Sequence, residues 1–274
     1  MRLTIRATRW PFPATKRNST MSLFRNIVLT AVVAGLLSGV LMTVMQSFSV
    51  VPLIIAAETY EHAGSNGAGH SHAAAPTASV PAPTAAQHDH AEEAWAPADG
   101  IERFAYTTAA NALSAIGFAL VAIAIAEALG GFGGWRGGLM FGIAGFLTVS
   151  LAPGLGLPPE LPGMPVAELG PRQIWWIATA VCTALALGLL AYTRSALLAA
   201  LAVVLLVAPH IIGAPLPPTH DTAVPIELHA RFVNAVYATN LVFWAVLGAL
   251  SGVIRERFRA GEGISNTSKE LAVR

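Results

Sequence analysis

Glu58, Glu61 and His62 open a polar stretch, residues 58–90, that reads ETYEHAGSNGAGHSHAAAPTASVPAPTAAQHDH. It carries five of the chain's eight histidines: His62, His70, His72, His88 and His90. Glu58 and His62 are spaced i,i+4, so a helix continuing past Pro52 would set both on one face. His70-Ser71-His72 and His88-Asp89-His90 are two His-x-His units. Neutral imidazole with carboxylate suits divalent cobalt, nickel, zinc or copper without choosing among them. The lone cysteine, Cys182, lies in an apolar run and rules out a multi-thiolate site. The Ala/Pro/His composition of 64–90 predicts a loose collecting arm, with an inert linker as the alternative. Further along, His210 sits in VAPHIIGAP at the end of an apolar run, and His220 stands beside Asp221. Ionisable groups at membrane depth are costly, which marks His210 as a candidate ligand. A ring bonded to a nearby carbonyl is the other reading.

The elements that must position these residues are membrane helices. The chain has 274 residues, 54% of them hydrophobic and only 11% charged, against about 25% charged in a typical soluble domain. The predicted fold class is an all-α integral membrane protein. Six apolar runs fit about six transmembrane helices, at 27–51, 104–129, 138–151, 174–192, 196–212 and 232–254. The third is the shortest and ends at Pro153, so five crossings is the alternative. The segment 151–165 is too rich in proline and glycine for regular helix.

Lys and Arg favour the cytoplasmic side. With the N-terminus inside, six crossings put Arg25, Arg136, Arg194 and the cluster Arg255, Arg257, Arg259 inside. Both termini are then cytoplasmic, and all eight histidines reach the outer side. The basic first twenty residues form a short cytoplasmic tail, unless translation begins at Met21. Residues 258–274 form a second cytoplasmic tail.

Within the runs, Gln46 and Asn111 lie in the first and second helices and Asn240 in the last. Amides in lipid serve as interhelical bonds, or as oxygen ligands along a transport path. Glu127 reads as an interface residue, and Trp175 and Trp176 as interface anchors. Small residues such as Gly35, Gly39, Gly138 and Gly142 fit close helix packing. There is no nucleophile elbow, phosphate-binding glycine loop or His-Glu-x-x-His helix, so no enzyme is expected. No concentrated basic face invites nucleic acid.

The runs SLFRNIVLTAVVAGLLSGV, AETYEH, FAYTTAANALSAIGFAL, LAPGLGLPPELPG, RQIWW, APHIIGAP, VPIELHARF and NLVFWAVLG resemble the CbtA family of cobalt transporter subunits. The resemblance spans residues 21–257, with a His-rich outer loop at 58–103. It implies a bacterial inner-membrane subunit of five or six helices and Co²⁺ as the bound or transported ion, with no cofactor. It also implies a link to cobalamin synthesis and a small single-span companion, CbtB. Glu58, Glu61, Asn111 and His210 fall inside the family's motifs, whereas His70, His72, His88 and His90 do not. Deleting residues 64–90 is therefore expected to lower cobalt uptake only at limiting metal. An equal loss at saturating metal would make the arm part of the core site.

Overall fold

The computed structural model describes residues 15–67 and 100–273, with side chains described for 21–60 and 100–261. Every regular element among the described residues is helical. The first two are α1 (Thr15–Ser49) and α2 (Val51–Gly67). Then come α3 (Ile101–Ala128) and α4 (Trp135–Gly145). A six-residue π turn (Phe146–Leu151) joins α4 directly to the short α5 (Ala152–Gly156). The chain continues through α6 (Leu169–Tyr192), α7 (Ala196–Ile212) and α8 (Ile226–Val273).

Among the described residues five stretches are long and apolar enough to cross a bilayer: Met21–Ser49, Ile101–Ala128, Trp135–Gly156, Leu169–Tyr192 and Ile226–Gly261. Two expectations change. The third run is not a 14-residue fragment stopped by Pro153, since it continues as 22 helical residues to Gly156. The π turn explains this. It widens the helix so that the Ala152 N–H reaches the Leu147 carbonyl, and proline then enters at a turn start, where its missing N–H costs least. The fifth run is the shorter one. At 17 residues α7 spans about 25 Å. It nonetheless runs back along α6, for the Trp175 indole N–H near the α6 start donates to the Pro209 carbonyl near the α7 end, at 3.2 Å. Among the described residues the long crossing helices thus number five, with α7 as a sixth, shorter return.

The first run also divides. Helix α1 ends at Ser49, Val50 forms a turn, and α2 restarts at Val51 with Pro52 as its second residue. The helix expected past Pro52 is present, and positions 58 and 62 lie one turn apart on it.

Small residues set the packing. A Cβ on Gly35 would come within 2.6 Å of Ile116, and one on Gly39 within 2.5 Å of Ala112, which brings α1 against α3 backbone to backbone. Gly138 and Gly142 of α4 meet Gly248, Gly252 and the Trp244 carbonyl of α8 in the same way. Lipid gives apolar side chains no reason to leave it, so such close approach is what holds helices together. Around these seams lies a core that includes Ala31, Ala115, Ile123, Phe146 and Leu247.

The bundle has two distinct ends. At one, the α3–α4 turn meets the α8 residues Arg255, Glu256 and Arg259; we call it the basic end. At the other, α2, the 157–168 connection and the start of α8 share a small core of Val50, Ala57, Leu161, Val224 and Phe232; we call it the loop end. Overpacking a tight core costs about 1–3 kcal/mol. Gly142→Val is therefore expected to lower the thermal midpoint of the solubilised protein. Gly117→Val, where a Cβ has open space, is expected to leave it nearly unchanged.

Candidate functional site

The proposed ligands with described side chains gather at the loop end. Glu58 is half-buried on α2, next to Ala57 of the loop-end core. His210 is half-buried in the last turn of α7, with its ring edge-on to Trp175 at 5.9 Å between centroids. The same Trp175 is 8% exposed, so it is a core residue and not the expected interface anchor. Its indole holds the backbone immediately before His210. Trp176, at 38% exposure, keeps the surface an anchor needs.

His220 and Asp221 are exposed in the α7–α8 connection. Thr219 shapes this corner, since its hydroxyl donates to the Asp221 carboxylate at 3.3 Å and accepts from the Asp221 N–H at 3.0 Å. The side chains of Glu61 and His62, and the whole of His70, His72, His88 and His90, lie outside the described residues. Among the described residues no three His, Cys, Asp or Glu side chains converge on a point. Glu58, His210, His220 and Asp221 thus share one end of the bundle without forming a closed cage.

Sequence reasoning passed over His229 as a ligand, and the structure gives it a partner. Its Nε2 lies 3.0 Å from the Pro159 carbonyl. A carbonyl only accepts, so that nitrogen donates the bond. In the same connection Glu160 pairs with Arg172 at 3.1 Å. These two bonds tie the 157–168 connection to α8 and α6.

Inside the bundle the three expected amides all take part in polar contacts. Asn111 Nδ2 donates to Thr43 Oγ1 at 3.0 Å and to Gln46 Oε1 at 2.8 Å. Both bonds use the nitrogen, so Oδ1 is not consumed by them. Asn240 Oδ1 accepts from Ser150 Oγ at 3.4 Å, and Ser150 accepts from the Trp244 indole at 3.3 Å. Ser150 sits in the π turn, and such turns are frequent at functional sites. Its part was not legible beforehand, because a serine in an apolar run carries no periodic signal for a π turn.

Helices α3 and α8 run parallel, with Phe118 against Trp244 and Glu127 against Arg255. Asn111 and Asn240 therefore fall within about one to three residues, at most about 5 Å, of the same depth. The two hydrogen-bonded groups make one polar layer nearer the loop end.

A family model described as a probable cobalt transporter subunit (CbtA) matches residues 24–256. The chain belongs to the CbtA family. It is accordingly a cobalt transporter subunit, and its long apolar helices make it a multi-pass membrane protein. The match begins three residues after Met21 and reaches Glu256, so it takes in Glu58, His210, the polar layer and the Glu127–Arg255 pair. No curated protein and no solved structure matches the chain.

Interhelical hydrogen bonds within membranes are worth about 0.6 kcal/mol on average and up to about 2. Asn111→Ala breaks two at once. It is expected to lower the thermal midpoint by a few degrees, an effect that Asn111→Gln would largely restore.

Proposed function

We propose that this CbtA subunit takes up Co²⁺ from the outer face of the bacterial inner membrane and passes it inward through the α1–α3–α8 interior. The observation that supports this most is the order of polar groups along the bundle. Imidazoles and carboxylates stand at the loop end, and the oxygen-bearing layer of Thr43, Gln46, Asn111, Ser150 and Asn240 lies deeper. In this reading the loop end faces outward, because Arg136, Arg194, Arg255, Arg257 and Arg259 crowd the opposite end, as cytoplasmic ends do. Glu58 and His210, with Glu61 and His62 beside them, capture the ion. His220, Asp221 and the His70–His72 and His88–His90 pairs raise its local concentration. Gln46, Asn111 and Asn240 line the path, and a small CbtB-like subunit completes the transporter.

A second reading has its own support. All three amides already bond protein groups, and the described ligands form no cage. Such a chain would bind metal outside and dock a partner that carries the flux.

Radioactive cobalt flux into liposomes holding the chain, alone or with the CbtB-like subunit, separates the two. Flux that falls at least about tenfold in both His210→Ala and Glu58→Ala supports the uptake path, since losing even an outer partner of a metal ligand costs about 10–100-fold. Binding without flux, with and without the companion, would establish the docking subunit instead.

A further inference from the structure

The uptake reading uses the loop end and the polar layer. It leaves unexplained the most buried charge among the described residues, at the basic end. Arg255 is 2% exposed, and its Nε donates to Glu127 Oε1 at 2.7 Å. Arg259, one turn further along α8, donates through Nη2 to Glu127 Oε2 at 2.6 Å. Its Nη1 donates to the Gly130 carbonyl at 3.1 Å. Within this trio two cations face one carboxylate, and the Glu256 carboxylate stands nearby against Gly134 of the same turn.

The two arginines differ in how they are held. Arg255 is enclosed, while the Arg259 side chain is 39% exposed and Glu127 is 16% exposed. Arg255 thus balances Glu127 permanently, and Arg259 supplies the second cation from a position it can leave. Gly131 makes room for it. Its φ is +100°, and a Cβ there would fall on the Arg259 guanidinium. Buried Arg255 Nη1 and Ser251 Oγ, one helical turn apart, find no partner in this arrangement.

We propose that Arg259 is the bolt of an inner gate. Seated on Glu127 and the Gly130 carbonyl, it closes the basic end of the bundle against cations, and its release opens the α3–α8 seam to water. This rests on the uptake reading for its purpose, though not for its measurement. A divalent ion coming from the polar layer would meet the second cation while the bolt is seated. Once the bolt leaves, it would meet a neutral Glu127–Arg255 pair.

The test is cysteine accessibility in the full-length chain, in membrane vesicles that expose the basic end. Cys182 is first replaced by serine. A single cysteine is then placed at Ile123, which is 0% exposed and one turn before Glu127. With Arg259 seated, a membrane-impermeant thiol reagent is expected to label it slowly. Arg259→Gln and Gly131→Ala are each expected to speed labelling about tenfold, as loss of a charge-assisted hydrogen bond would. Gly131→Ala does this without removing a charge, and Gly133→Ala, which strains the same turn at a φ of +66° but has open space for its Cβ, is expected not to speed labelling. A cysteine at Ala186, also 0% exposed, reports general loosening. No acceleration at position 123, or equal acceleration at 123 and 186, overturns the gate. Labelling reads the gate whether or not cobalt flux is found, so absent flux would count only against the uptake reading.

Discussion

In a bilayer, an apolar side chain gains little by exchanging lipid for another side chain, so helices associate by close backbone approach and by polar bonds. The seam between α4 and α8 carries that constraint here. Gly138 and Gly142 lie against Gly248, Gly252 and the Trp244 carbonyl, with no room for a Cβ on either side. This contact seats the crossing that is interrupted by the π turn. It also fixes the rotation of α8, and that rotation decides which of its residues face the bundle. Asn240 and Trp244 come to Ser150, and Arg255 comes to Glu127. The Gly35 and Gly39 contacts do the same for α1 and α3, bringing Thr43 and Gln46 to Asn111.

The result is a bundle with polar groups at separate depths and apolar packing between them. The loop end holds Glu58, His210, His220 and Asp221. The middle layer holds amides and hydroxyls, which carry no net charge. The basic end holds the Glu127–Arg255–Arg259 cluster. Between the layer and the cluster, Ile123, Ala119 and Leu247 are almost wholly buried. A buried charged pair is poor evidence of stability on its own, because desolvation offsets the attraction. Here the carboxylate holds two helices and the α3–α4 turn together, and one of its two partners stays within reach of water.

Helices α6 and α7 form a separate pair at the side of this bundle. Trp175 joins them, through its indole bond to Pro209 and its edge contact with His210. The indole also packs where a Cβ on Gly156 would stand, so it ties the pair to the end of the π-containing helix. His210 is thus positioned by a tryptophan that is itself positioned by the crossing the sequence made hardest to see.

Composition and hydropathy alone determined the class of this protein, because a chain with so few charges cannot present a water-facing surface. Apolar runs placed the helices in order, although α1 and α8 extend well beyond their runs and α2 restarts within the first, and the quoted motifs gave the CbtA family. The i,i+4 spacing of Glu58 and His62 and the one-sided placement of the described histidines were also legible, since both follow from chain order and helix period. Three things were decided by tertiary structure. Pro153 sits inside a crossing, because a π turn, which depends on packing against α8, changes the register before it. Glu127 is an ion-pair centre, because its partners lie more than 120 residues away on α8. Ser150 joins the polar layer, because a π turn directs it to Asn240. Periodicity describes one helix at a time, and each of these facts belongs to a pair of helices.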